Sequence, residues 1–137
     1  MKLLYVLLLV PFMVYPAFAA EYDQIVSTSD GTLDVGIYTI PAIPNTEDPT
    51  KLKIDFLKSG TEKIQLHIDY RVSVTNDGDY VFGPMSRLLH TSPGSITIPV
   101  EFSENGSHIV HIEMEGILFQ PIPLETCLLY TSDAADE

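Results

Sequence analysis

From Ile64 to Val74 the chain alternates without a break. Ile64, Leu66, Ile68, Tyr70, Val72 and Val74 fall on one side, and Gln65, His67, Asp69, Arg71 and Ser73 on the other. Successive side chains of a strand point to opposite faces, so a period of two marks a strand with one face buried. The pattern recurs in Leu33, Val35 and Ile37, in Leu52, Ile54 and Phe56, in Ile96, Ile98, Val100 and Phe102, and in Val110, Ile112 and Met114. No apolar period of 3.6 persists after residue 20. A single sheet would leave all these apolar faces wet. The sequence therefore predicts an all-β domain, an antiparallel sandwich of the immunoglobulin-like or fibronectin-III-like kind with about seven strands.

Turn chemistry punctuates the strands. Asn76-Asp77-Gly78 and Asn105-Gly106 are hairpin signals, because glycine and asparagine accept positive φ at low cost. Three prolines between Pro41 and Pro49 forbid a central strand there and predict a loop or edge crossing. Gly83 to Gly94 reads as a long connection with Pro84 and Pro93. Gly116 interrupts the alternation of the late strand and predicts a bulge. The apolar Ile117 to Phe119 precedes Gln120-Pro121-Ile122-Pro123.

The two ends carry different information. Met1-Lys2, the apolar run Leu3 to Val10 and Ala17-Phe18-Ala19 are the parts of a secretory signal peptide. Cleavage is expected after Ala19, making residues 1–19 the leader. The run falls short of the roughly 20 apolar residues of a membrane-spanning helix, and no cysteine follows it to carry a lipid. At the far end, Cys127 to Glu137 back-translates as TGT CTC TTA TAC ACA TCT and onward, a string that resembles a transposon-based sequencing adapter. Residues 127–137 are read as adapter translation, leaving 20–126 as the single sandwich domain, truncated at its C-terminus. Two expectations follow. The only cysteine, Cys127, carries no native disulfide or thiol chemistry, and a missing last strand leaves an uncovered apolar edge near Ile117 to Phe119.

The chain holds 7 Lys+Arg against 19 Asp+Glu. Setting aside Lys2 and Asp133, Asp136 and Glu137 leaves six basic and 16 acidic side chains between the two ends. That charge repels phosphate backbones and excludes nucleic acid as a partner. It suits a protein exported into a saline medium.

Four stretches, Gln65 to Tyr70, Val81 to Pro84, Leu89 to Ser92 and Gly116 to Pro123, together resemble a family of small secreted proteins from ammonia-oxidising archaea. The resemblance covers roughly Thr32 to Pro123. It implies an immunoglobulin-like β domain exposed outside the cell, followed in many members by a C-terminal membrane anchor. No established activity comes with it. His67 and His90 belong to the recurring stretches, whereas His108 and His111 do not.

The histidines are the plausible ligands. His67 and Asp69, two apart on one predicted strand, are expected on one outward face, and His90 returns toward that sheet in the connection. Imidazole with carboxylate suits Zn²⁺ or Cu²⁺, so His67, Asp69 and His90 form the candidate metal set. The same side chains equally serve as strand polar groups bonded to a loop or a backbone carbonyl. His111 and Glu113 repeat the spacing on a late strand. Met114 is expected in the core. No paired-cysteine, His-Glu-x-x-His or blue-copper set is present, and no Gly-x-Ser-x-Gly elbow supports a hydrolase. No catalytic residue is assigned, and the chain is read as non-enzymatic. Asn105-Gly106-Ser107 matches an N-glycosylation site in a turn, with the turn itself explaining the same residues.

The functional expectation is a cell-surface binding or structural module that presents its sheet faces and loops to a protein or a glycan. It requires no cofactor, and membrane attachment comes only through a missing C-terminal anchor. The alternatives are an extracytoplasmic copper or zinc carrier using surface histidines and an accessory subunit of a membrane oxidase. The first two differ in a geometric consequence. A carrier brings His67 and His90 within shared coordination distance, and a binding module leaves them pointing apart.

Overall fold

The computed structural model describes residues 22–44, 47–101 and 108–131. These hold nine strands: β1 (Gln24–Ser27), β2 (Leu33–Ile40), β3 (Thr50–Lys58), β4 (Ile68–Asn76), β5 (Asp79–Phe82), β6 (Leu89–Thr91), β7 (Ser95–Val100), β8 (Ile109–Ile117) and β9 (Gln120–Tyr130). One antiparallel sheet has the order β1-β2-β3-β7, and the other β5-β4-β8-β9, with β6 sharing the outer edge of β4 with β5. The chain changes sheet between β3 and β4, between β6 and β7, and again between β7 and β8. Pairing of β3 with β7 and of β4 with β8 gives the interlocked order of an immunoglobulin-like sandwich.

The predicted inward faces form the core. Val35, Ile37, Leu52, Ile54, Phe56, Val74, Val110 and Met114 are fully buried, with Leu33, Val72, Ile98, Val100 and Ile112 nearly so. Burying a side chain of this size contributes roughly 1.5–3 kcal/mol, and the two inner faces must meet to achieve it. The bulge expected at Gly116 is present: Asp69 pairs with Gly116 but Tyr70 with Met114, leaving Glu115 unpaired.

Three expectations are corrected. The first concerns Ile64 and Leu66, which are exposed rather than inward. The strand begins at Ile68, Ile64 makes an isolated bridge to Leu57, and His67 adopts φ 58°. This stretch carries the chain from one sheet to the other, so its alternation does not serve a single sheet face.

The second concerns strand number, nine instead of about seven among the described residues. β6 forms inside the long connection from Gly83 to Gly94. β9 runs through Pro121 and Pro123, which an edge strand tolerates because its outward side needs no donors.

The third concerns the uncovered edge. Ile117 pairs with Ile68 on one side and Gln120 on the other, so β9 covers the strand edge, while Leu118 and Phe119 stay exposed in the turn. Cys127 to Tyr130 continue β9 beside Ile109 to Ile112, with Cys127 and Leu129 in the core and Leu128 and Tyr130 outside. Apolar alternation in register is enough to extend a strand, whatever the origin of the codons. Burial pushes the Cys127 thiol up to about 12. Residues 1–19 and Asn105 lie outside the described residues.

A buried carboxylate ties the sheets along one side. Glu125 of β9 accepts hydrogen bonds from Thr28 Oγ1 (2.8 Å), Asp30 N (3.2 Å) and Thr32 N (3.3 Å) in the β1–β2 turn. Ser29 N donates to Thr126 O at 2.9 Å, and Tyr130 N donates to Gln24 Oε1. The first and last described strands thus run side by side and antiparallel.

Candidate functional site

The β8–β9 hairpin closes through two residues, Leu118 and Phe119, with φ of 52° and 64°. Such turns match the twist of the flanking strands but ordinarily use Asn-Gly, since a side chain at positive φ is strained. The adjacent His67, at φ 58°, is the third such residue in this corner. Its carbonyl accepts from Leu118 N at 2.8 Å, and its amide donates to Ser92 O at 3.1 Å. The backbone fixes His67 between the hairpin and the end of β6. Strain of this kind gathers where the surrounding structure holds a functional group in place.

Asp69 and His90 are directly opposed across the β4–β6 ladder, so their side chains leave the same face. His90 Nδ1 lies 2.7 Å from Asp69 Oδ1, and His90 Nε2 lies 3.1 Å from His67 Nδ1. On the other side of Asp69, its β8 partner is Gly116. A Cβ at Gly116 would stand 2.1 Å from Asp69 Oδ2, so only glycine leaves the carboxylate its room. Phe119 lies across both imidazoles, its centroid 4.4 Å from that of His67 and 5.0 Å from that of His90, with the latter pair inclined by only 17°. The result is a chain of three polar groups, Asp69–His90–His67, under one aromatic ring at the tip of the sandwich.

The 2.7 Å contact assigns one tautomer: with His90 Nδ1–H donating to the Asp69 carboxylate, the His90 Nε2 lone pair is directed at His67. In the neutral pair His67 Nδ1–H donates to it. Two ligand nitrogens on a tetrahedral zinc, each about 2.05 Å from the metal, are about 3.3 Å apart. The 3.1 Å separation of His67 and His90 is close to that value. An ion binding there would replace the shared proton, with His67 carrying its proton on Nε2 and Asp69 still holding His90 from behind.

The predicted set is therefore brought together with changed roles. His67 and His90 present the two nitrogens, and Asp69 orients His90. The shared strand face expected for His67 and Asp69 is corrected, since His67 reaches the site from a left-handed residue ahead of β4. Among the described residues no group of three or more His, Cys, Asp or Glu is arranged to hold a metal ion. His108 is buried where its backbone pairs with Thr131, and His111 lies on the outer face of β8 opposite Ser73. Glu113 and Glu115 each approach Arg71 at 3.6 Å. Phe119 and Gly116 were not assigned to the site by sequence reasoning. An aromatic residue three positions past the strand-breaking Gly116 carries no pattern of its own, and a bulge glycine does not announce which side chain needs its space.

A second concavity, about 170 Å³, lies on the outer face of the same sheet, where Arg71, Ser73, Tyr80, Met85, His111 and Glu113 meet. No protein-family model, curated protein or solved structure matches the chain.

Proposed function

We propose that this chain is an extracellular, non-enzymatic binding domain whose ligand is a divalent transition-metal ion, Zn²⁺ or Cu²⁺, held by His67 Nδ1 and His90 Nε2. The supporting observation is the 3.1 Å approach of those nitrogens, backed by the Asp69 carboxylate at 2.7 Å from the far nitrogen of His90. A carboxylate behind a ligand imidazole fixes its tautomer and raises its basicity, and losing such a partner typically weakens metal binding about 10–100-fold. The test is calorimetric titration of Zn²⁺ and of Cu²⁺ into the purified protein, beside a His67→Ala, His90→Ala variant. Saturable heat from the parent alone supports the reading, and equal behaviour of the two proteins overturns it.

The outer-face concavity supports a second reading, a glycan-binding module. Tyr80 is 59% exposed beside Arg71 and Glu113, which pairs a ring for stacking on a sugar with charged hydrogen-bonding groups. A glycan screen with Tyr80→Ala as the control tests it, a hit that survives the substitution counting against it.

A further inference from the structure

The described part of one chain offers two nitrogen ligands, while zinc in protein sites takes four. Asp69 is not available as a third, because Oδ1 is engaged by His90 and the carboxylate lies over Gly116. The surroundings are poorly suited to open water. Leu118 and Phe119, which form the turn beside the two imidazoles, are 53% and 68% exposed. Exposed apolar groups clustered about a polar centre mark a contact surface.

We infer that the site is completed by a second copy of this chain, two molecules meeting tip to tip about a two-fold axis with one metal ion on it. This rests on the metal reading above. A two-fold axis supplies the missing half of the ligand set by symmetry, His67 and His90 from each copy making a four-nitrogen tetrahedron. It also places each apolar rim against its equivalent. A different partner would have to supply a matched pair of donors of its own, whereas a second copy has them by construction. The metal supplies most of the specificity, since two apolar turns of two side chains each are small beside the area of a standard interface.

The experiment is sedimentation velocity of the purified protein with and without Zn²⁺, together with the zinc-to-chain ratio from titration. The expected result is a monomer without metal, a doubled mass with zinc, and saturation at half an ion per chain. His67→Ala and His90→Ala each abolish both effects, and Lys51→Ala, on the exposed side of β3 in the other sheet, changes neither. Co²⁺ substituted for zinc gives the intense visible absorption of a tetrahedral nitrogen site in the dimer. Saturation at one ion per chain with no change in mass overturns this inference and leaves the metal reading standing. Absence of zinc and copper binding removes both.

Discussion

Gly116 and Asp69 share one space: the carboxylate of Asp69 occupies the volume that any side chain at 116 would fill, with Oδ2 2.1 Å from the position of a Cβ. Two backbones paired across β4 and β8 thereby set the orientation of an imidazole on a third strand. Gly116→Ala is expected to push Asp69 aside and free His90 to rotate. Zinc affinity should fall by about tenfold or more, with a loss of stability of about 1–3 kcal/mol from overpacking. Titration and thermal melts of the variant measure both, and unchanged affinity would show that Asp69 does not position His90.

The hairpin turn gives a prediction of opposite sign. Leu118 holds positive φ without being glycine or asparagine, and a residue so placed costs on the order of 1–3 kcal/mol. Leu118→Asn is expected to raise stability by about 1 kcal/mol, seen as a higher melting temperature. Phe119→Gly should keep the turn while removing the ring from both imidazoles. In proton spectra the His67 and His90 ring resonances should then move downfield as the shielding of Phe119 is lost.

Glu125 predicts a pH dependence. Burial raises its pKa, but hydrogen bonds from Thr32, Thr28 and Asp30 outweigh it and hold the carboxyl below its ordinary value of 4.5. A group with a depressed folded pKa stabilises the protein fully above its unfolded value, and that stabilisation is lost as pH falls through the folded one. Glu125→Gln should cost about 2 kcal/mol near neutral pH, where charge-assisted hydrogen bonds are replaced by weaker ones. The gap between parent and variant should close progressively below pH 4.5, as read from denaturant melts at several pH values. A gap independent of pH would mean that the charge of Glu125 is not what holds the turn.

Cys127 and Leu129 are 6% and 0% exposed in β9. Where those codons derive from an adapter, the uninterrupted gene should encode apolar residues at both positions, because a polar group buried there without a partner costs about 1–3 kcal/mol. Sequencing the source gene through codon 131 checks this. Polar residues at both positions would place the native chain on a different path after Thr126.

The sandwich was legible because alternation is a property of the sequence itself, and each of Val35, Ile54, Val72 and Ile112 lies where that period places it. Ile64 and Leu66 show where the same signal misleads: alternation persists through a crossing between sheets, where nothing packs on it. β9 was hidden by Pro121 and Pro123, whose exclusion applies to central strands and lapses at an edge. His67, Asp69 and His90 were visible as donor types, but their arrangement was not. It depends on the opposition of Asp69 and His90 in a three-residue strand and on a left-handed turn at His67, and both are consequences of tertiary pairing.

The antiparallel seam of β1 with β9 has a consequence for reach. The described chain enters beside Gln24 and leaves beside Tyr130 at one pole, while the Leu118-Phe119 turn lies at the other, the length of the nine-residue β8 away, or about 27 Å. The pole beside Gln24 and Tyr130 is therefore as far from His67 and His90 as the length of β8 allows. Two molecules joined at their tips would have these poles about 55 Å apart and facing in opposite directions. Such a join suits a bridge between two facing surfaces better than a clasp between neighbours on one.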